Sequence, residues 1–251
     1  MAEPLLRTVA LSRRFGGVIA VDQVSLELHV GEVHAVIGTN GAGKSTLINM
    51  LAGELPASGG RIEFDGQDIG RWSTPRRARA GIGRSFQRTT IFPSFSVFEN
   101  CRLCAQAATP RAWAVWQGAQ RCQTSTQAAH RALQAIGLVA EAQRPAGMLS
   151  HGAQRQLEIA MCLATRPRVL LLDEPLAGMG PEETGRMLAL LTELRRSHAV
   201  LLVEHDMDAV FRIADRITVM VNGAVIASDV PDRIRSNAQV QLAYLGDAYT
   251  D

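Results

Sequence analysis

Residues 38–45 read Gly-Thr-Asn-Gly-Ala-Gly-Lys-Ser and fit the phosphate-binding pattern G-x-x-x-x-G-K-[S/T]. An apolar run at residues 33–37 precedes this stretch, and a helical pattern at residues 44–52 follows it. A buried strand that leads into a glycine-rich loop and then a helix is the context that this pattern requires. Such a loop points backbone N–H groups at phosphate oxygens, and the helix adds the positive end of its dipole. The stretch therefore predicts an α/β fold that binds a nucleoside triphosphate.

Lys44 is the one lysine among the 26 basic residues of the chain. A slender ammonium fits between the β- and γ-phosphates of a nucleotide, where a planar guanidinium would crowd them. The hydroxyl of Ser45, the next residue, is expected to bind Mg²⁺. The alternative is a chance lysine in an arginine-rich composition, and the surrounding glycines argue against it.

Composition restricts the classes of protein to consider. The 251 residues suffice for one large domain, and a net charge of +2 does not indicate a nucleic-acid partner. Hydrophobic residues make up 47% of the chain, but no apolar run reaches the roughly 18–20 residues that span a bilayer. The N-terminus lacks the layout of a signal peptide. We therefore expect a soluble, cytoplasmic chain that meets a membrane only through a partner.

Cys101 and Cys104, two of the four cysteines, form a C-x-x-C. This spacing occurs in redox and zinc sites, but no second C-x-x-C or histidine pair completes a zinc site here. Both residues also fall in an apparently helical stretch. Reduced, structural cysteines are the favoured interpretation.

The hydrophobic pattern predicts a sheet with flanking helices. Strands are expected at 5–10, 24–30, 33–37, 61–64, 169–172, 199–203 and 217–221, and helices at 44–52, 97–138, 181–196 and 206–213. The alternation of strands and helices after Arg168 implies a parallel sheet flanked by helices. Residues 109–127 are interpreted as a surface insertion. Residues 233–251 are expected to pack as a helix on the body or to help pair two subunits.

A second stretch that carries chemistry, Val-Leu-Leu-Leu-Asp-Glu, occupies residues 169–174. On a buried parallel strand, Asp173 emerges at the carboxyl edge beside the phosphates, where it can hold Mg²⁺ through water. Glu174 can then accept a proton from the attacking water as a general base. An apolar strand that ends in Asp-Glu is common by itself, but together with the phosphate loop it predicts a hydrolytic site.

Residues 149–156, Leu-Ser-His-Gly-Ala-Gln-Arg-Gln, resemble the L-S-G-G-Q signature of ATP-binding cassette (ABC) ATPases. By this resemblance, Gln87 corresponds to the Q-loop glutamine that senses Mg²⁺ and the attacking water. His205 corresponds to the switch histidine that contacts the γ-phosphate, and Phe15 to the aromatic residue that stacks on adenine. The motifs follow the family's order and cover essentially the whole chain.

The resemblance implies a P-loop NTPase ABC cassette with a mixed central sheet, an N-terminal antiparallel β subdomain and a helical signature subdomain. We expect one ABC ATPase domain over residues 1–251, with the RecA-like core and β subdomain at about 1–86 and 166–251 and the helical subdomain at about 87–165. The expected contacts to ATP are Phe15, Gly38, Thr39, Asn40, Gly41, Ala42, Gly43, Lys44, Ser45, Thr46, Ser150 and Gly152. The expected catalytic residues are Glu174, His205, Gln87 and Lys44, and the expected Mg²⁺ ligands are Ser45, Gln87 and Asp173.

A physical argument supports the family's head-to-tail dimer. In a single chain, Ser150 and Gly152 lie in the helical half, away from the phosphate loop. A serine hydroxyl and a glycine N–H ahead of a helix form a second cradle for a γ-phosphate. That cradle is useful only if a second subunit brings its nucleotide to it. Two ATP molecules between two chains would then hold the dimer, and hydrolysis would release it.

The chain departs from the family's pattern at two positions. The fifth residue of the signature is Ala153 instead of glutamine or glutamate. Because Ser150 and Gly152 remain, we expect weakened rather than abolished function. Gly180 occupies a position where many relatives have Asp or Asn for a hydrogen bond across the dimer, so its missing side chain puts that contact and the coupling of the two sites in question.

Several stretches resemble ATP-binding subunits of branched-chain amino acid importers, namely residues 15–21, 82–87, 157–160, 173–179 and 243–246. The resemblance implies two membrane permease subunits, a second ATPase subunit, identical or similar, and an indirect link to a substrate-binding protein. It places the chain at the cytoplasmic face of the inner (plasma) membrane, as a peripheral subunit. Docking is expected near Gln87 and residues 90–100, where the apolar residues 91–95 form either a coupling surface or ordinary core.

Other functional interpretations stay open on the sequence alone. The ATPase of a lipopolysaccharide exporter resembles the same branch. A soluble ABC ATPase that acts on ribosomes or DNA usually carries two cassettes or a long coiled coil, and this chain has neither. A nucleotide kinase or GTPase shares the phosphate loop, but the signature and His205 argue against it. The cargo is not identified, so branched-chain amino acids, urea, short-chain amides and aromatic acids all remain candidates.

Overall fold

The computed structural model describes residues 3–86, 90–108 and 122–245. The strands in these ranges are β1 (Leu6–Phe15), β2 (Val18–Leu28), β3 (Val33–Gly38), β4 (Gly59–Phe64), β5 (Gln67–Asp68), β6 (Ile82–Arg84), β7 (Val169–Asp173), β8 (Ala199–Val203), β9 (Arg216–Val221) and β10 (Ala224–Asp229). The helices are α1 (Lys44–Ala52), α2 (Thr74–Ala80), α3 (Val97–Ala108), α4 (Gln123–Ala135), α5 (His151–Ala164), α6 (Pro181–Leu194), α7 (Met207–Ile213), α8 (Pro231–Arg235) and α9 (Ala238–Leu245). No described helix is both long and apolar enough to cross a bilayer.

Two sheets organise the molecule. The central sheet has the order β10-β9-β3-β8-β7-β6, in which β10 and β9 are antiparallel and the remaining neighbours are parallel. The second sheet, β2-β1-β4-β5, is antiparallel. Every residue of β3, β7 and β8 is buried, because both faces of these parallel strands are covered. The predicted mixed central sheet and N-terminal antiparallel sheet are both present.

Strand β7 separates two parts of the hydrophobic core. Leu170 and Leu172 point to a cluster that also contains Leu157 of α5 and Leu191 of α6. Leu171, on the opposite face, packs into a cluster with residues of α1 and of the antiparallel sheet. Because side chains alternate along a strand, one short apolar run joins the helical layer to the nucleotide-binding layer. Truncating such a leucine to alanine costs about 2–5 kcal/mol of stability.

Several elements differ from the sequence predictions. Strand β2 covers Val18–Leu28 instead of the predicted 24–30, because its pairing with β1 continues to the tip of the hairpin. The strand predicted at 5–10 continues to Phe15, because Leu11–Phe15 pair with β2 through an irregular register. The first of three register shifts spans Ala10, which has φ 47° and whose N–H donates to Ser25 Oγ at 2.9 Å. The helix predicted at 97–138 is α3 and α4, and residues 109–121 between them lie outside the described ranges. Residues 123–127 of the predicted insertion are instead the start of α4.

The end of the chain also differs in detail from the prediction. Two short helices, α8 and α9, replace the single helix expected from residue 233 onward, and residues 246–251 lie outside the described ranges. Ile234 and Val240 are buried against the β9 side of the central sheet. The described C-terminal helices therefore pack on the body of the same chain, which is one of the two alternatives expected from the sequence.

Candidate nucleotide site

The glycine-rich loop between β3 and α1 has two positions where only glycine fits. A Cβ on Gly38 would lie 2.2 Å from the carbonyl oxygen of Met220 on β9. A Cβ on Gly43, the N-cap of α1, would lie 2.1 Å from the carbonyl oxygen of Ala20 on β2. Gly43 also has φ 96°, which residues with a side chain rarely adopt. The loop is thus closed tightly between the two sheets, with its N–H groups at the start of a helix.

The ammonium of Lys44 lies inside this loop. Its Nζ donates to the carbonyl oxygens of Gly38 at 2.6 Å and Thr39 at 3.0 Å. Burial lowers the pKa of Lys44, while the charges of Glu174 and Asp173 raise it. The phosphate loop and the acidic strand end therefore lie within electrostatic reach of each other, as the sequence predicts.

Strand order explains why these groups meet. Strand β3 pairs with β8, and β8 pairs with β7, so the carboxyl ends of three parallel strands share one edge of the sheet. Asp173, the last residue of β7, lies opposite Val203, the last residue of β8. Ligands of open α/β sheets bind at this edge.

Asp173 is buried and only partly satisfied. Its Oδ2 lies 3.7 Å from the guanidinium of Arg84, which also pairs with Glu54 at 2.8 Å. Its Oδ1 is buried, and no hydrogen-bond partner for it occurs within the described ranges. Burial raises the pKa of Asp173, the charge of Arg84 lowers it and that of Glu174 raises it. An orphaned carboxylate oxygen of this kind fits a hydrated cation.

The residues near this edge fit a hydrated Mg²⁺ ion that also binds substrate phosphates better than a metal ion whose ligands all come from the protein. Among the described residues, no group of three or more His, Cys, Asp or Glu side chains could hold a metal. Mg²⁺ usually keeps several waters and binds one or two carboxylates together with substrate phosphates. Asp173 and the exposed Ser45 are compatible with that type of site.

Glu174 has a strained backbone. Its φ is 49°, in the left-handed region, and its N–H donates to the carbonyl oxygen of Val203 at 2.9 Å. A non-glycine residue in this region costs about 1–3 kcal/mol and persists where the surroundings hold it, often at functional sites. The residue predicted to act as general base is therefore the point at which the chain turns sharply off β7.

Glu204 is a functional candidate that the sequence analysis did not single out. This carboxylate is fully buried and accepts from the N–H of Leu176 at 2.8 Å and from that of His205 at 3.2 Å. Burial raises its pKa, and the two backbone donors lower it. It ties the loop after β7 to the loop after β8, which carries His205. The sequence signal that could have indicated Glu204 is its position directly after the apolar strand 199–203.

The imidazole of His205 is 62% exposed, with Nδ1 3.8 Å from Glu204 Oε2. Phe15, at the other end of the site, is 44% exposed at the tip of the β1–β2 hairpin. The guanidinium of Arg13 lies 4.5 Å from the centre of the Phe15 ring and covers one face. An adenine ring would thus have the opposite face of Phe15 available for stacking.

Ser150 and Gly152 lie at the start of α5 and away from the phosphate loop. Ser150 is the N-cap of α5, and its Oγ accepts from the N–H of Ala153 at 3.2 Å. The cleft at this helix start is lined by Ser150, Gly152, Ala153, Gln156, Met179, Glu183 and Arg186, and by no residue of the loop 38–46. One chain therefore does not bring all the predicted nucleotide contacts together.

Gln87, predicted to contact Mg²⁺ and water, lies outside the described ranges, but both ends of its segment are held by α5. Arg155 donates to the carbonyl oxygen of Phe86 at 3.0 Å. Glu158 accepts from the N–H of Thr90 at 2.7 Å and pairs with Arg155 at 2.9 Å. This buried ion pair links the signature helix to the segment that contains Gln87. The sequence analysis missed it because an i, i+3 charge pair usually marks an exposed helix face.

Three of the four cysteines have the environment of structural residues. Cys101 and Cys162 are buried, and burial raises the pKa of each thiol. Burial raises the pKa of Cys104 to about 11. Because the thiolate is the reactive form, these three thiols are poor nucleophiles near neutral pH.

Known proteins resemble this chain along nearly its full length. A family model described as ABC transporter matches residues 21–177. The high-affinity branched-chain amino acid transport ATP-binding protein BraF of Pseudomonas aeruginosa is 40% identical over 261 residues, which cover 99% of this chain and 100% of BraF. The protein of the same description, LivG, of Escherichia coli is 40% identical over 255 residues, with the same coverage. The crystal structure of the ADP conformation of an ATP-binding cassette of an ABC transporter superposes with a TM-score of 0.87 at 31% identity, over 98% of this chain and 100% of that one.

Proposed function

The chain belongs to the ABC transporter family of ATP-binding proteins, and we propose that it is the ATP-hydrolysing subunit that powers an importer of branched-chain or related amino acids. The observation that carries the proposal is the meeting of Lys44, Asp173 and Glu174 at one edge of the central sheet. The relatives named for branched-chain amino acid transport, which align from end to end, support the cargo class.

The phosphate loop and Lys44 bind the triphosphate of ATP in this proposal. The N–H groups ahead of α1 and the ammonium of Lys44 neutralise the phosphate oxygens, and Phe15 stacks on the adenine. The hydroxyl of Ser45 and, through water, Oδ1 of Asp173 would hold Mg²⁺, together with Gln87 by resemblance to the family. The ion would supply positive charge that neutralises the phosphates.

Glu174 accepts the proton of the attacking water. The chain turns at this residue, which has φ 49°, directly after Asp173 ends β7, so the two adjacent acids stand on different backbone geometry. His205 contacts the γ-phosphate, and Glu204 positions its loop through the two backbone N–H groups described above. Arg84, next to Asp173, offsets the negative charge of the acidic strand end.

The active unit is a head-to-tail dimer with an identical or similar ATPase subunit. The separation of Ser150 and Gly152 from the phosphate loop within one chain supports this arrangement. Each α5 helix start then meets the γ-phosphate of the nucleotide held by the other subunit. ATP binding closes the dimer, and hydrolysis reopens it.

The chain docks on two membrane permease subunits through residues 91–95 and the neighbouring groove, at the cytoplasmic face of the plasma membrane. Ile91 packs on the core, whereas the side chains of Phe92 and Phe95 are 49% and 45% exposed, with ring centres 5.6 Å apart. Two exposed, stacked aromatic rings favour a contact surface over ordinary core packing.

The adjacent groove has a volume of about 210 Å³. It is lined by Thr90, which directly precedes residues 91–95, and by Phe86, Cys104 and Met161. An apolar groove beside exposed aromatic rings is suited to a short amphipathic helix of a permease. The same groove adjoins the segment that contains Gln87, so docking and hydrolysis would share one element.

Two substitutions separate binding from hydrolysis and test the ATPase assignment. Lys44→Ala should abolish tight MgATP binding in calorimetry, whereas Glu174→Gln should keep binding and lose most turnover. Glu193→Gln, which neutralises an exposed carboxylate at the far end of α6, is the control with normal turnover. Near-normal hydrolysis by Glu174→Gln would remove Glu174 as the base, and tight MgATP binding by Lys44→Ala would overturn the phosphate-loop assignment.

A further inference from the structure

The start of α5, where the γ-phosphate of a second subunit would bind, already faces a carboxylate of the same chain. Glu183, in the first turn of α6, lies with its Oε1 3.4 Å from Ser150 Oγ. A Cβ on Gly152 would lie 2.5 Å from the carboxyl carbon and Oε1 of Glu183. The carboxylate is therefore packed directly on the two residues proposed to receive phosphate.

The chemistry of this contact is that of an anion at a helix N-terminus. Helix α5 has 14 residues and no acidic residue in its own first turn, which reads His-Gly-Ala-Gln. A negative charge is stabilised near the unpaired N–H groups of such a helix end. Glu183, which comes from the neighbouring helix, fills this role. The absence of a side chain at Gly152 is what allows the carboxylate to approach.

Among the charged side chains described at this cleft, Glu183 is the anion that lies against Ser150 and Gly152. Glu182, its neighbour, is 86% exposed and pairs with Arg186 at 2.7 Å. Arg186 lines the cleft and is itself 55% exposed. His151, at the first position of α5, packs against Gly178. The two adjacent glutamates thus have different surroundings, although they carry the same charge.

We propose that Glu183 is an internal stand-in for the γ-phosphate, which holds the start of α5 until the nucleotide of a second subunit displaces it. The inference rests on the proposed role of Ser150 and Gly152. Phosphate and carboxylate compete for the Ser150 hydroxyl and for the space beside Gly152, and their like charges oppose joint occupancy. Closure of the dimer therefore requires the Glu183 side chain to leave the helix start, so Glu183 sets the concentration of MgATP at which closure occurs.

Binding of inorganic phosphate to the isolated chain tests this competition. The phosphate loop is filled with MgADP, and the backbone amide of Gly152 is followed by ¹H–¹⁵N NMR as phosphate is added. Glu183→Gln, which keeps the shape and removes the charge, should lower the apparent Kd at Gly152 by about fivefold, the size expected for a charge at a helix terminus. Glu182→Gln is the matched control and should titrate like the parent chain.

The outcomes separate the inference from the proposed function beneath it. An equal Kd for the parent, Glu183→Gln and Glu182→Gln chains would overturn the competition and leave the phosphate cradle intact. Weaker binding by Glu183→Gln would also overturn it, because Glu183 would then be orienting Ser150 for phosphate. If the Gly152 amide responds to phosphate in none of the chains, the cradle itself is wrong, and the proposed role of Ser150 and Gly152 falls together with the inference.

Discussion

Mild acid should destabilise this fold through one buried histidine, His34 on β3. Its imidazole is 1% exposed. Nδ1 lies 2.9 Å from the carbonyl oxygen of Glu27 on β2, and Nε2 lies 2.8 Å from the hydroxyl of Thr218 on β9. The hydroxyl of Thr218 in turn lies 2.8 Å from that of Ser228 on β10. A neutral ring satisfies this network by donating from Nδ1 and accepting at Nε2.

The size of the effect follows from the pKa of His34. Burial lowers this pKa from 6.5 to about 4. Between these two values the unfolded chain binds a proton that the folded chain does not, so stability falls as the pH falls through this window. The full shift corresponds to roughly 3 kcal/mol, of which about 2 kcal/mol is lost between pH 7.5 and pH 5. Protonation of Nε2 would also remove the acceptor that faces Thr218.

Buried carboxyl groups act in the opposite direction, so the test is a comparison between chains. Burial raises the pKa values of Asp173, Glu158 and Glu204, and the folded state therefore takes up their protons more readily as the pH falls. These groups are common to a His34→Gln chain, which lacks the histidine. The difference in pH dependence between the two chains isolates His34.

Urea unfolding at pH 7.5, 6.5, 5.5 and 5.0 measures this difference. The parent chain should lose about 2 kcal/mol more than His34→Gln over the range, whatever the stability of His34→Gln at pH 7.5. His130→Gln, which removes an exposed histidine, should follow the parent. If the parent and His34→Gln lose stability with the same pH dependence, His34 does not remain neutral in the folded state and the reasoning fails.

Three further predictions concern the proposed site. Gly43→Ala should weaken MgATP binding by about tenfold more than Gly41→Ala. The new methyl group at residue 43 meets a β2 carbonyl, whereas the described structure has no atom within 4 Å of a Cβ at residue 41. Equal calorimetric Kd values for the two variants would contradict this. Phe95→Glu should lower transport by the assembled complex and spare basal ATPase. Val30→Glu, at a similarly exposed residue in the β2–β3 turn, should change neither. Loss of ATPase in Phe95→Glu would make that segment core. Ala153→Gln should raise ATPase and transport rates, and unchanged rates would show that Ala153 does not weaken the signature.

Much of the fold could be predicted because its signals are local. The bounds of α1 and β8 agree with the apolar pattern, and β7 ends one residue later than predicted. In each case a buried run lies between strong turn or loop residues, so the pattern alone indicates the element. The family and the cassette fold are confirmed for the same reason, since the ordered motifs carry them.

The unpredicted parts depend on tertiary contacts. Strand β10 is an edge strand whose residues are mostly half-buried, so it lacks a clear hydrophobic period. The same holds in the site: Glu204 acts on Leu176, which is 28 residues away, and Glu183 acts on Ser150, which is 33 residues away. Sequence patterns report which faces are buried, but they do not report which distant backbone groups a carboxylate will meet. The roles assigned to the site residues stay predictions until tested.

The central claim, that this chain powers a membrane importer, is tested most directly by what it binds in the ATP state. Tagged Glu174→Gln chain would be purified with MgATP from detergent-solubilised membranes of its host, with Lys44→Ala as the control that does not form the closed dimer. The account predicts that two permease proteins and an ATPase subunit, identical or similar, copurify with Glu174→Gln, and the permeases would define the cargo. Recovery of ribosomal or DNA-associated proteins without any permease would contradict it and leave only the ATPase chemistry.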